Sequence, residues 1–232
     1  LIVNEGVFID VGGDEIIKKY SSQKVIDAQG LSIYPGFIDS HSHFHNLGYL
    51  KNQLDLTSTN SLSDVIDAAK KYDSERKPEF IIGRGWDQND WVNKSFPTNT
   101  ELNNNFPDLP VIVRRIDGHA YLVNDAALKL ANITSSSKIE GGEFLKRRGR
   151  LTGVLIDNAM RLIDDIIPEP SIEETVSALL AAQEATFENG LTTVSDAGIS
   201  KKQIMLIDSL QKQGILDIRI YAMIENNLES MN

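Results

Sequence analysis

Residues 170–224 read PSIEETVSALLAAQEATFENG, then LTTVSDAGISKKQIMLIDSLQKQG, then ILDIRIYAMI. Their rhythm decides the fold class. Ser171 and Glu174 form a capping box, in which a hydroxyl and a carboxylate satisfy the free amides at a helix start. Ile172, Val176, Leu179, Leu180 and Phe187 recur at helical spacing, and Asn189-Gly190 stops the helix. Leu191–Val194 reads as a short buried strand. Ser200 and Gln203 open a second capped helix that runs to Gln213, with Gly214 at its C-cap, and Ile218–Ile224 reads as the next strand. Helix, strand, helix, strand at this spacing predicts right-handed crossovers and a parallel sheet.

Upstream, the texture changes. Residues 75–168 mix short apolar strands, Phe80–Ile82 and Val111–Val113, with an Asn- and Pro-rich stretch between them. A short helix at Asp125–Ala131 and a β-hairpin over Gly141–Leu155 follow, the latter with a basic tip at Lys146–Arg150 and a turn-like Thr152-Gly153. This block is expected to be an inserted α+β subdomain. Ser61–Tyr72 predicts a helix with Ser61 as N-cap and Asp64 in its first turn. Residues 1–34 alternate apolar runs with Gly turns, and Leu1–Val3, Val7–Val11 and Leu31–Tyr34 are expected strands of a small β subdomain. Too few to close a sheet alone, they call for other segments to complete it.

The 232 residues carry 23 Lys and Arg against 33 Asp and Glu, a net charge of −10 that argues against nucleic acid as a partner. With no cysteine, any metal must be held by His and carboxylates. No apolar run is long enough to suggest a membrane span. Leu1–Asp10 lacks the charged-then-apolar order of a signal peptide, so a cytoplasmic protein is expected. The missing initiator Met and the mid-strand opening suggest that the chain begins inside a longer product.

The sharpest chemical feature is Asp39-Ser40-His41-Ser42-His43. Side chains at i and i+2 of a strand share a side, so two imidazoles at a strand's carboxyl end can hold one metal ion. Spacing alone is a weak signal, and a polar surface or capping role is then the commoner reading. Context adds more. Val25-Ile26-Asp27-Ala28-Gln29-Gly30 followed by Tyr34-Pro35-Gly36-Phe37-Ile38 and the HxH resembles the first-strand signature of the amidohydrolase superfamily. Gly190–Gly198 is similar to its second barrel strand. Gly83–Gln88, Arg115–Asn124 and Thr152–Met160 resemble the YtcJ-like group, which includes N-substituted formamide deformylases.

That resemblance implies an α/β fold: a partial (β/α)8 TIM-type barrel with a small β-sandwich and an inserted α+β subdomain. Residues 1–34 would belong to the sandwich, 35–74 would start the barrel, 75–168 would form the insertion and 169–232 would continue the barrel. It also implies hydrolysis of amide or other C–N bonds in a small molecule by metal-activated water. His41 and His43 would be the metal ligands, with zinc first and iron or manganese as alternatives. The family's later ligands, a Lys, two His and an Asp, have no counterpart here, so an incomplete and self-associating fragment is expected. The competing reading is a non-catalytic metal- or partner-binding domain of the same fold.

Other residues carry paired readings. His45 either edges the pocket or caps a turn. His119 either acts on substrate, as a catalytic or binding group, or makes a structural hydrogen bond. Trp86 walls the pocket or sits in the core, with Asp87 beside it as a substrate-binding candidate. Asp157 approaches the site or caps a helix. Asp196 is a catalytic or ligand-orienting carboxylate, or a turn residue.

Overall fold

The structure, a computed structural model, describes residues 1–226. Residues 227–232 of the expected barrel continuation lie outside the described residues. The chain divides into two compact units, Leu1–Pro35 and Gly36–Asn232. In the first, β1 (Ile2–Asn4) and β2 (Val7–Asp10) pair antiparallel. Glu5 and Gly6 between them both have positive φ, 49° and 77°, the two-residue hairpin geometry that matches strand twist. Leu31–Tyr34 is not a strand. No described strand is in register with it.

The second unit holds the remaining elements. They begin with β3 (Phe37–Ser42), α1 (Phe44–Asn52), β4 (Leu54–Asp55), α2 (Leu62–Arg76), β5 (Ile81–Trp86) and α3 (Thr100–Asn105). Next come β6 (Val111–Arg115), β7 (Ala120–Val123), α4 (Asp125–Leu130), β8 (Gly142–Arg147), β9 (Arg150–Asp157) and α5 (Arg161–Asp164). The last four are α6 (Ile172–Glu188), β10 (Leu191–Ile199), α7 (Lys201–Lys212) and β11 (Arg219–Ile224). They build two sheets. One has three strands in the order β11-β10-β3, all parallel. The other has six, in the order β4-β5-β6-β7-β9-β8. All of the second sheet lies, in sequence, between β3 and β10, which are hydrogen-bonded neighbours in the first.

The six-stranded sheet is covered on both faces, and period-two alternation shows how. Val111 and Val113, Ala120 and Leu122, and Val154 pack with α2, α3 and Trp86. Ile112, Tyr121 with Val123, and Leu155 pack on the opposite face with α4 and Met160. A strand buried on both faces reads as an unbroken apolar run, as Val111–Val113 does. This lobe starts earlier than the change in texture at residue 75. Leu54 of β4 and Val65, Ile66 and Ala69 of α2 already belong to its core. The basic hairpin tip is as expected, with Arg148 and Gly149 at φ 53° and 77°. Gly153, however, is no turn. It lies inside β9 at φ 83°, where an added Cβ would stand 2.3 Å from the Val123 carbonyl oxygen.

Among the described residues, the three-stranded sheet is packed on one face. Phe44 of α1, Leu179 and Ala182 of α6, and Ile207 and Leu210 of α7 pack with Val194 and Ile218. Its other face carries Tyr221 and Met223, paired in register with Ser195 and Ala197. The described residues form these three parallel strands and close no barrel. Both capping boxes form as expected, at Ser171–Glu174 and Ser200–Gln203. No described helix is long and apolar enough to cross a membrane.

Candidate metal centre

Because β3 and β10 run parallel, their carboxyl ends lie together. His41 is in the last turn of pleat of β3 and His43 sits one residue beyond it, at the N-cap position of α1. Ser42 is in register with Asp196, on the side that faces the helices. Alternation therefore turns His41 and His43 to the open face. Their ring centroids are 5.5 Å apart with the planes at 84°. His43 Nδ1 is 2.9 Å from the Ala197 carbonyl oxygen. A carbonyl only accepts, so Nδ1 carries the proton and the Nε2 lone pair is left for a ligand. Metal-binding imidazoles are characteristically oriented by such a second bond. Ser42 Oγ donates to the Ser195 carbonyl at 2.9 Å, so neighbouring residues of the motif are both tied to β10.

Asp196 makes a structural bond at the start of α1. It is 1% exposed, and its Oδ2 accepts the His45 amide at 2.9 Å. The His43 side chain makes no cap at this helix start, so Asp196 supplies the cap from the neighbouring strand. Burial pushes its carboxyl above the usual range, while the amides of Phe44 and His45 and the rings of His45 and His43 oppose that shift. The ring-orienting part belongs to the next residue's carbonyl, Ala197.

His45 turns inward, 8% exposed. Gln203 Oε1 takes the Ser200 amide at 2.8 Å, which leaves Gln203 Nε2 to donate to His45 Nδ1 at 3.2 Å. The His45 proton is then on Nε2, which removes that nitrogen as a metal ligand, and burial holds the ring's pKa down. Two imidazoles with one lone pair fixed toward the open face fit part of a divalent-metal ligand set. Among the described residues, no group of three or more His, Cys, Asp or Glu converges to complete one.

Comparison with known proteins identifies the family. The pattern of the amidohydrolase family matches residues 24–231. The chain belongs to the amidohydrolase family. It is 36% identical over 196 residues to the amidohydrolase YtcJ of Bacillus subtilis, covering 82% of this chain and 37% of that protein. It is 25% identical over 192 residues to the N-substituted formamide deformylase of Arthrobacter pascens, covering 79% of this chain and 35% of the enzyme. Among solved structures, it is similar to a metal-dependent hydrolase from Pyrococcus horikoshii, with a TM-score of 0.62 and 29% identity over 82% of this chain and 36% of that one. The chain thus spans little more than a third of the length of these relatives.

The other candidates of this amidohydrolase-family chain lie in the six-stranded lobe. Trp86 is fully buried, and its Nε1 donates to the Val113 carbonyl at 2.9 Å. It is a core residue with no surface to offer a substrate. Asp87 is at the end of β5, where its carboxylate accepts the Asn89 amide at 2.9 Å. His119 is exposed, and its Nδ1 lies 2.9 Å from Asp157 Oδ1. Sequence reasoning missed the partners that organise these sites. Gln203 was visible as a capping residue, but nothing local in the sequence signals that its second amide atom reaches His45.

Proposed function

We infer that this chain contributes His41 and His43 to the divalent-metal centre of a hydrolase acting on amide or other C–N bonds of small molecules. The observation that carries the reading is the locked His43 ring, whose Nδ1 bond to Ala197 leaves Nε2 beside His41. Zinc suits a site built on imidazoles, and iron or manganese remain compatible with it. When bound, such an ion polarises an acyl oxygen and lowers the pKa of a water that it holds. The chain's own β10 holds the His43 imidazole through the Ala197 carbonyl. The six-stranded lobe is an insertion between the first two barrel strands, and His119 and Asp87 are its substrate-facing candidates. The name of the Arthrobacter pascens relative, a deformylase, makes N-substituted formamides the first substrates to try.

Two imidazoles are fewer than the three protein ligands usual in catalytic zinc sites. The remaining ligands are placed in the part of the longer relatives that this chain does not match. Zinc titration of the 232-residue chain, followed by the ring signals of its histidines, tests the assignment. Weak binding that His41→Ala or His43→Ala removes is the expected result, together with no turnover of N-formyl or N-acyl amides. Equal binding in both variants would overturn it. The absence of a third converging ligand among the described residues also favours a second reading, a non-catalytic domain of the same fold. Turnover by a chain extended to the length of the relatives would decide for the enzyme.

A further inference from the structure

At one edge of the six-stranded sheet, the carboxyl ends of β5, β6 and β9 meet the amino end of β7. Ala120 and Ile156 are in register, and one step further out His119 and Asp157 face each other. Asp157 donates its amide to the His119 carbonyl at 3.1 Å, and its carboxylate reaches back to His119 Nδ1 at 2.9 Å. To do this Asp157 adopts φ 48° and ψ −122°, a conformation that side-chain-bearing residues rarely take. It occupies the N-cap position of the short 3₁₀ turn Asn158–Met160, yet its side chain makes no cap there. A turn alone would be better served by Gly, so the carboxylate is what the position retains.

The histidine is held from a second side. Its amide donates to Asp117 Oδ1 at 3.0 Å. Arg115 grips that carboxylate through Nε at 2.9 Å and Nη2 at 2.6 Å, and its guanidinium lies over the Phe96 ring at 5.5 Å. The charged groups around the ring are therefore Asp157 and Asp117, with Arg115 behind them and Asp87 near the arginine. The ring itself points outward, its side chain 70% exposed. A carboxylate on Nδ1 fixes the proton there and leaves Nε2 as a bare acceptor toward solvent.

Resting on the reading of this lobe as the substrate-facing part of an amidohydrolase, we propose that Asp157 is a positioning residue that locks His119 in the Nδ1–H tautomer, so that Nε2 accepts a hydrogen bond from the N–H of a secondary-amide substrate. Free imidazole in water prefers the other tautomer, so the lock is measurable. Nitrogen-15 NMR of the histidine rings, at a pH where they are neutral, assigns it. The wild-type chain is expected to show His119 protonated on Nδ1. Asp157→Ala is expected to revert to the Nε2–H form with the fold unchanged by circular dichroism. Asp157→Asn, which tolerates positive φ and can still accept from Nδ1–H, is expected to keep the lock. A wild-type ring in the Nε2–H form, or an unchanged tautomer in Asp157→Ala, would overturn the positioning role. N-methylformamide is expected to shift the His119 Nε2 signal, and N,N-dimethylformamide, which lacks the donor, is expected not to. A locked ring that responds equally to both amides, or to neither, would overturn the ligand assignment. Failure of zinc to bind at His41 and His43 would leave the tautomer result standing, so the two readings fail separately.

Discussion

Replacing Gly48 by Ala sets two calculable effects against each other. Gly48 lies inside α1, where Ala is intrinsically better by roughly 0.8–1.0 kcal/mol. Yet a Cβ at this position would stand 2.1 Å from the Ala178 carbonyl oxygen and 2.5 Å from its carbonyl carbon. Both are backbone atoms of α6, so no rotamer change relieves the contact. The helices must separate by about 1.4 Å to reach ordinary spacing, since non-bonded heavy atoms rest near 3.5 Å. Such overpacking costs about 1–3 kcal/mol, and the upper end applies because the obstacle is main chain. Separation also pulls on the Tyr49–Thr175 hydroxyl contact of 2.9 Å across the same interface. The net expectation is a loss of about 2 kcal/mol, a shift of roughly thirtyfold in the folding equilibrium. Urea denaturation followed by circular dichroism reads this directly as a lower midpoint at unchanged slope. A Gly48→Ala chain as stable as the wild type, or more so, would show that helix propensity dominates and that α1 is not pressed against α6 as described.

Two further outcomes follow from the lobe. Trp86→Phe removes the donor to the Val113 carbonyl and leaves a void in a full core, so a loss of about 2–4 kcal/mol is expected in the same urea experiment. A loss below about 0.5 kcal/mol would mean that the indole is not confined. Arg115 holds the Asp117 carboxyl down to about 2, well below its ordinary 3.8. A depressed carboxylate contributes stability that is complete above the unfolded value and is lost as pH falls through the folded one. The gain should therefore fade between pH 3.8 and about 2. Asp117 is 43% exposed, so solvent screening keeps it small. Arg115→Met should flatten the acid limb of a stability–pH curve, and an identical limb in the variant would contradict the pairing.

The sequence was legible where the cause is local. Ser61, Ser171 and Ser200 cap helices because their partners are the amides of the following turn. Val111–Val113 is a strand because the residues are β-branched, follow Pro110 and are apolar at every position. What escaped depends on distant chain. The helix Phe44–Asn52 leaves little local mark, and the place of Gly48 within it is explained only by Ala178 lying against it. Gly153 looked like a turn because a positive-φ glycine leaves the same mark in a strand interior pressed by Asn99 and the Val123 carbonyl. Trp86 was left between pocket wall and core because burial by α2 and β6 cannot be read beside Asp87. At the candidate site, the HxH spacing gave the pair, while its orientation was invisible because Ala197 lies on another strand.

That last point bears on how the metal motif is built. Ser42 Oγ, His43 Nδ1, the His45 amide and His45 Nδ1 each find their partner 151 to 158 residues away, on β10 or at the start of α7. The strand carrying the two histidines supplies their spacing, and the second strand supplies their aim. Between the two, the chain folds an entire six-stranded lobe with its own two-sided core. Contacts of such long sequence separation are entropically expensive to close in a disordered chain. A lobe formed before β10 joins β3 would shorten the effective loop between those two strands. A chain ending before Leu191 would keep both histidines and the lobe, yet lose the Ala197 carbonyl that holds the His43 ring and the Ser195 and Asp196 atoms that tie down its neighbours.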